Sequence, residues 1–321
     1  MTTPVPHWPG RMVPLKGGDK VWLAGTPASG TGSGSAPGGE LVLCVHGMSG
    51  AATNWTDLMA ELTPDFDCAA VDLPGSGFSP PPRTGGGYSV TGRAGTVARL
   101  IETLGAGPVH LVGNSMGGAV AVRLAARRPD LVRTLTLISP ALPDLRVRGS
   151  VAHFPVLALP YVGEWLVRHY TARYPVENRV SGVFATCFYD PARVHPDRLA
   201  LEVEALRRRE ELSYEATSLA RAARTLVCET LKPRPFSLWR DVGQVRAPSL
   251  VLFGSHDRLV NPRLAARAAS TFRDALVAVL PETGHLAQME RPGLVAALFR
   301  EMVDETRARG DASAEATQVP G

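Results

Sequence analysis

The chain has 321 residues, of which 45% are hydrophobic and 20% are charged. This composition is typical of a globular protein with a sizeable core, and it excludes long disorder driven by charge. The formal net charge is +4, but the densest basic run, Arg207–Arg209, is followed at once by Glu210 and Glu211. We interpret the run as a solvated helix face and expect no nucleic-acid partner. The length suggests about two domains, or one α/β domain with an insertion.

The cysteines and the N-terminus point to no special class of protein. The four cysteines, Cys44, Cys68, Cys187 and Cys228, are widely spaced and form neither a C-x-x-C motif nor a cluster with histidine. We therefore expect no metal, no redox pair and no cofactor. The first residues lack a secretory signal, and no apolar stretch approaches 18 residues, so we expect a cytoplasmic protein without a membrane span. The sequence leaves the oligomeric state open.

Short apolar runs alternate with helical patterns along most of the chain. An early run, Lys20–Ala24, suggests a hairpin with the first of six further runs. The six are Leu41–Val45, Asp67–Val71, Val109–Val112, Leu135–Ile138, Leu250–Phe253 and Ala275–Leu280. Because continuous apolar strands are buried on both faces, they predict a mostly parallel sheet flanked by helices, that is, an α/β fold.

One long segment interrupts the alternation. Residues 140–235 contain helical patterns but no apolar run of the buried-strand kind. We therefore predict a helical cap over 140–235, inserted into a core formed by residues 1–139 and 236–308. The composition of 25–39 predicts a flexible Gly/Ser loop, and 309–321 is expected to be a loose tail.

The strongest chemical signal is the G-x-S-x-G motif at Gly113–Gly117. It follows a predicted strand and precedes a predicted helix, which is the context that makes the motif specific. The chain must turn sharply there, with Ser115 at the tip. Gly113 and Gly117 lack a Cβ, so neighbouring backbone can approach from both sides. We predict that Ser115 is a nucleophile.

A serine hydroxyl needs a base, and two further strand ends supply the partners. His285 follows the last predicted strand, and Asp257 follows the strand before it. The order Ser, Asp, His is that of the α/β hydrolases, and all three residues lie at carboxyl ends of strands, where open α/β sheets place their sites. Asp144 remains an alternative acid. We expect no catalytic role for His256.

Taken together, these motifs resemble the α/β-hydrolase superfamily. The resemblance also includes His46-Gly47 and the Asp72–Gly77 segment, and it spans most of the chain outside the cap. It implies that Ser115 attacks a carbonyl carbon, that His285 transfers the proton and that Asp257 orients His285. It further implies an oxyanion hole made by two backbone N–H groups, for which Met48 and Met116 are the candidates. His46, Gly47 and Asp72 are expected to support the loops.

The substrate class stays open at this stage. Serine at position 115 disfavours epoxide hydrolase and dehalogenase chemistry, because the resemblance assigns those reactions to proteins with aspartate at this position. A carboxylesterase acting on a small or medium hydrophobic ester ranks first. A C–C hydrolase of ring-cleavage products ranks second, because Leu286 replaces the usual tryptophan and the oxyanion loop at Met48 is shorter than in those enzymes.

Two other functions are weaker alternatives. An aminopeptidase would need a cap carboxylate such as Glu202 or Glu204 to bind an amine. A ligand receptor of the same fold would normally lack a triad residue. Whatever the substrate, we expect cap side chains such as Trp165 or Phe184 to set its selection.

Overall fold

A computed structural model of the chain describes residues 4–26, 39–146 and 148–317. They form one eight-stranded sheet whose spatial order is β1-β2-β4-β3-β5-β6-β7-β8. The strands are β1 Gly10–Pro14, β2 Lys20–Gly25, β3 Leu41–Val45, β4 Asp67–Val71, β5 Val109–Asn114, β6 Val132–Ile138, β7 Ser249–Gly254 and β8 Ala275–Leu280. β1 and β2 are antiparallel to their neighbours and the other pairs are parallel, as the apolar runs predict.

The N-terminal edge of the sheet differs from the prediction. β2 does not form a hairpin with β3; it pairs with β1 and with β4, where Leu23 lies opposite Val71. β3 is buried on both faces, so it pairs in parallel with β4 and β5 inside the sheet. The sequence analysis missed β1, because its Pro14 and its exposed Arg11 and Met12 are typical of edge strands and give no apolar run.

Helices cover both faces of the sheet. The alternating residues of β3 divide between two cores: Leu43 and Val45 pack in one and Val42 and Cys44 in the other. The core helices are α1 Thr56–Leu62, α2 Val90–Leu104, α3 Met116–Arg127, α10 Leu264–Thr271, α11 Ala287–Glu290 and α12 Pro292–Thr317. α2 and α3 contribute to the first core, and α1 and α12 to the second.

The segment between β6 and β7 is helical. Its helices are α4 Phe154–Leu157, α5 Val162–Arg173, α6 Val176–Cys187, α7 Pro196–Glu210, α8 Glu215–Leu231 and α9 Leu238–Val242. We call α4 to α8 the cap helices. α4 and α5 both pack against α8, whereas α6 packs against α7.

The C-terminus also differs from the prediction. Residues 309–317, predicted to be part of a loose tail, continue α12 as far as Thr317. Arg309 is held by ion pairs to Asp274 and, one turn earlier in the helix, to Glu305. Such i, i+4 pairs support a helix that has no apolar stripe to signal it. Of the predicted loop at 25–39, residues 27–38 lie outside the described part of the chain.

No helix within the described residues combines the length and the apolar character needed to cross a bilayer.

Candidate active site

The turn at Ser115 has the geometry expected of a nucleophile elbow. β5 ends at Asn114 and α3 begins at Met116, which leaves Ser115 between them with φ 52° and ψ −118°. This backbone conformation is strained for a residue with a side chain. The turn is held because the Ser115 N–H donates to the Ile138 carbonyl and the Ser115 carbonyl accepts from the Ala141 N–H.

Two glycines are needed for this turn. A Cβ at Gly117 would lie 2.1 Å from the carbonyl oxygen of Val45, and a Cβ at Gly113 would lie 2.7 Å from that of Gly117. Both contacts are with backbone, which cannot move aside as a flexible side chain can. The G-x-S-x-G spacing therefore lets α3 start directly against the end of β3.

The predicted acid and base form a buried pair. His285 Nδ1 lies 2.8 Å from Asp257 Oδ2, and both side chains are almost fully buried. The other carboxylate oxygen of Asp257 accepts the N–H groups of Leu259 and Val260. Burial opposes ionisation, but His285 and these backbone donors outweigh it and hold the pKa of Asp257 below its usual value. Asp257 is therefore ionised at neutral pH, and because it contacts Nδ1, Nε2 is the ring nitrogen that remains to accept a proton.

Asn114 ties the His285 loop to the elbow. Its side-chain amide donates to the carbonyls of His285 and Ile138 at 3.1 and 3.0 Å. Within the described residues no hydrogen bond joins Ser115 Oγ to His285. Such bonds are often long in ligand-free enzymes and tighten when the substrate binds. The structure thus brings Asp257 and His285 into contact and holds their loop beside Ser115.

The predicted oxyanion loop adjoins the elbow. A Cβ at Gly47 would lie 3.1 Å from the Cβ of Ser115, so the backbone leading into Met48 passes directly beside the serine. Met116 is the first residue of α3, where the N–H has no partner within the helix. Both predicted donors therefore belong to segments that adjoin Ser115.

His46 supports this loop. Its Nε2 accepts the N–H of Leu73 at 2.9 Å, and its Nδ1 lies 2.7 Å from the Gly47 carbonyl. Burial lowers the pKa of His46 to about 3. The ring is therefore neutral and serves as a bridge between two loops.

The other polar candidates lie apart from the pair. Both oxygens of Asp72 accept backbone N–H groups, and burial raises its pKa to about 6. Asp144 Oδ1 accepts the N–H of Arg146 in a local turn, and the ring of His256 packs against Tyr189. His285 is paired with Asp257, and within the described part of the chain no hydrogen bond or ion pair joins His285 to Asp144.

The cap reaches the His285 loop through backbone contacts. The N–H of His285 donates to the Cys187 carbonyl at the end of α6, at 2.5 Å. A Cβ at Gly284 would lie 2.1 Å from the same carbonyl oxygen. The end of α6 therefore lies directly against the predicted base.

Glu290 joins these two segments and was missed by the sequence analysis. Its carboxylate accepts the Gly284 N–H at 2.7 Å and the N–H groups of Tyr189 and Asp190 at 2.9 and 3.3 Å. The one sequence signal for Glu290 is its position five residues after His285. By itself this spacing does not distinguish Glu290 from a charged residue on the surface. Glu290 holds the His285 loop and the cap in one hydrogen-bonded unit.

Arg93 was also missed. It interrupts the apolar stripe of α2 and is fully buried, with a guanidinium nitrogen 2.9 Å from Met116 Sδ. Burial lowers the pKa of Arg93 to about 10, so the group remains cationic at neutral pH. Within the described residues it forms no ion pair, which leaves a positive charge behind the elbow.

The two cap side chains predicted to select the substrate lie in different places. Phe184 is buried in an apolar cluster with Phe188, and Leu259 and Leu286 pack against this cluster. These two leucines follow Asp257 and His285 closely in the sequence. Trp165 is 61% exposed on the outside of α5. The structure therefore brings Phe184, and not Trp165, towards the acid–base pair.

The comparisons with known proteins agree with the fold and the motifs. The family described as the α/β-hydrolase fold matches residues 40–292. A 2-hydroxy-6-oxononadienedioate/2-hydroxy-6-oxononatrienedioate hydrolase of Cupriavidus pinatubonensis is 28% identical over 302 residues, which cover 91% of this chain and 93% of that protein.

Solved structures share the architecture. A thermophilic esterase from Thermogutta terrifontis aligns with a TM-score of 0.69 and 24% identity over 93% of this chain and 99% of the esterase. A 2-hydroxy-6-oxo-6-phenylhexa-2,4-dienoate hydrolase from Rhodococcus sp. strain RHA1 aligns with a TM-score of 0.69 and 22% identity. The alignment covers 92% of this chain and 100% of that hydrolase. The fold and these relatives define a hydrolase. The chain belongs to the α/β-hydrolase fold family.

Proposed function

We propose that the chain is a serine hydrolase in which Ser115, His285 and Asp257 form a catalytic triad. The observation that carries this proposal is the buried Asp257–His285 pair, held beside the elbow by Asn114. The turn at Ser115 and the Asp257–His285 pair could each have a purely structural role if they occurred alone. Together they supply a nucleophile, a base and a group that orients the base.

The reaction proceeds through an acyl-enzyme. Ser115 Oγ attacks the substrate carbonyl carbon while its proton passes to His285 Nε2. The N–H groups of Met48 and Met116 stabilise the oxyanion that forms. The intermediate collapses, the bond to the leaving group breaks, and His285 returns the proton to the departing oxygen. Water then attacks the acyl-enzyme by the same route and releases the acid and free Ser115.

Carboxylic esters with small or medium hydrophobic acyl groups are the proposed substrates. The cluster around Phe184 and Phe188 offers an apolar surface beside Leu259 and Leu286. Such a surface suits an alkyl or aryl group and gives no partner to a charged one.

An aminopeptidase is less well supported. Glu204 accepts a hydrogen bond from Arg208 at 2.9 Å. Burial raises the pKa of Glu202, and the charges of Arg209 and Arg198 act in the opposite direction. Glu204 is therefore already paired, and burial disfavours the charged carboxylate with which Glu202 would have to bind a substrate amine.

A C–C hydrolase is the second candidate. The specific observation in its favour is Arg209 of α7, which is buried, forms no ion pair among the described residues and donates to the Ser49 carbonyl in the oxyanion loop. An unpaired guanidinium beside this loop suits a substrate that carries a carboxylate. The Cupriavidus relative is named for dioate substrates of this kind.

Covalent labelling tests the nucleophile. A fluorophosphonate probe should label the wild type and fail to label Ser115→Ala. Ser255→Ala, which removes a hydroxyl on the exposed side of the acid loop, serves as the matched control and should label normally. Equal labelling of Ser115→Ala and wild type contradicts the proposal.

Turnover separates the substrate classes. Steady-state kcat/KM should be measured on p-nitrophenyl esters of graded chain length and on a dienol C–C substrate. We expect the esters to be turned over, which also distinguishes an enzyme from a ligand receptor. Faster turnover of the dienol substrate, lost in Arg209→Met, would favour the second candidate.

A further inference from the structure

The cap exposes large apolar side chains on one stretch of the chain. Among the described residues, seven of the fifteen exposed large apolar side chains fall between positions 156 and 174. They are Val156, Leu159, Tyr161, Val162, Trp165, Tyr170 and Tyr174. Tyr161 is 88% exposed, and its φ of 64° places it in the left-handed region. An exposed apolar stretch of this size usually marks an interaction site.

The side chains of Val162 and Trp165 lie on the side of α5 that faces away from α8. α4 and α5 both pack against α8, and Gly163 at the start of α5 sits against the Leu157 carbonyl and Ala220 of α8. The residues of α5 at helical spacing on the opposite side are Val162, Trp165, His169 and Arg173. The Trp165 and His169 rings stack with centroids 5.4 Å apart. We call this outer side of α4 and α5 the cap face.

The charges of the cap face have one sign. Residues 154–174 contain two arginines, Arg168 and Arg173, and one carboxylate, Glu164. Glu164 turns inward, where it lies 3.5 Å from Arg224 of α8. Arg168 and Arg173 are exposed on α5. The apolar side chains are therefore bordered by cations, with no exposed carboxylate among residues 156–174.

We propose that the cap face binds the surface of an anionic lipid bilayer. Tryptophan and tyrosine prefer the bilayer interface because their rings are apolar and their N–H or O–H groups are polar. Arginine beside them is attracted to anionic headgroups. A protein partner would be expected to match some of these cations with carboxylates, whereas a lipid surface needs only apolar groups and positive charge. Binding is independent of turnover, so this proposal does not depend on the proposed function.

Vesicle sedimentation of the full chain tests the proposal. We compare vesicles of phosphatidylcholine alone with vesicles that also contain phosphatidylglycerol. The chain should bind the anionic vesicles, and binding should weaken as salt rises, because screening reduces the attraction. Tryptophan emission should shift to shorter wavelength on binding, and Trp165→Phe should lose most of that shift.

Two pairs of variants separate the apolar and charged parts. Arg168→Gln/Arg173→Gln should bind anionic vesicles about 30-fold more weakly, from about 1 kcal/mol for each cation. Arg11→Gln/Arg263→Gln removes the same charge elsewhere and should lose much less. Trp165→Ala should bind at least about fivefold more weakly, whereas Leu276→Ala, at a similarly exposed position on β8, should bind like wild type. Each variant is checked by its thermal unfolding midpoint.

Three results would overturn the proposal. One is binding to phosphatidylcholine and anionic vesicles with equal affinity. Another is loss of binding in the Arg11/Arg263 control as large as in the Arg168/Arg173 variant. The third is a concentration-dependent dimer that Trp165→Ala disrupts, without vesicle binding by the wild type, which would assign the cap face to a second copy of the chain.

Discussion

The elbow region and the cap are built on different principles. Around Ser115, backbone packs against backbone, and a single added carbon at Gly117 would lie 2.1 Å from a carbonyl oxygen. In the cap, a carbon added at Gly182 of α6 would have no neighbouring atom within 4 Å, and large aromatic side chains are exposed on α5. The elbow therefore leaves no space for an added carbon, whereas the exposed side of α6 at Gly182 does.

This difference separates the residues that we expect to carry out the reaction from those that we expect to select the substrate. The acid–base pair needs fixed distances, which close backbone packing supplies. Helix α6 of the cap ends against the loop of His285, and Glu290 joins that loop to the cap. The outer helices of the cap can therefore vary without disturbing the Asp257–His285 pair, provided that these contacts are kept.

The largest expected effect is on the acid. Asp257→Asn should lower kcat by about 10⁴-fold, because the amide favours the wrong tautomer of His285. Asp144→Asn is the matched control, since the hydrogen bond of Asp144 among the described residues is a local turn contact, and its kcat should equal that of wild type. A large loss in Asp144→Asn with little in Asp257→Asn would show that the wrong carboxylate was assigned. Steady-state turnover of a p-nitrophenyl ester measures both.

The next largest effect is on the free energy of unfolding, and it is measured by substituting two glycines. Gly117→Ala should lower the free energy of unfolding by at least about 3 kcal/mol or prevent folding, because backbone cannot yield to the new methyl group. Gly182→Ala, in an exposed helix of the cap, should raise it by about 0.5–1 kcal/mol. Urea denaturation measures both. Equal stabilities would show that the elbow accommodates a methyl group and is not closely packed.

The smallest expected effect concerns substrate selection. Phe184→Leu keeps the cap apolar but reshapes the cluster beside Leu286. It should change the ratio of kcat/KM between long and short acyl chains by up to about 10-fold. Trp165→Ala, on the cap face, should leave the ratio unchanged. A change in Trp165→Ala alone would place selection on the outside of the cap.

Much of the core could be predicted from local patterns. Apolar runs mark β3 to β7 because those strands are buried on both faces, and a run of this kind is visible in a linear sequence. Ser115, Asp257 and His285 could be named for a similar reason, since each comes within five residues of the end of a strand and belongs to a short motif. The cap could be predicted as helical, but its outer and inner sides could not be distinguished, so Trp165 and Phe184 were treated alike.

Contacts between segments that are distant in the sequence could not be predicted from local sequence patterns. β1 and the pairing of β2 with β4 depend on which sheet edge is free, and the helix at 309–317 depends on Asp274, a residue far away in the chain. Glu290 and Arg93 resemble ordinary charged residues until folding brings one to the His285 loop and buries the other behind Met116. Periodicity and motifs reflect the neighbours of a residue in the sequence. The roles of Glu290 and Arg93 arise instead from contacts with residues that are distant in the sequence.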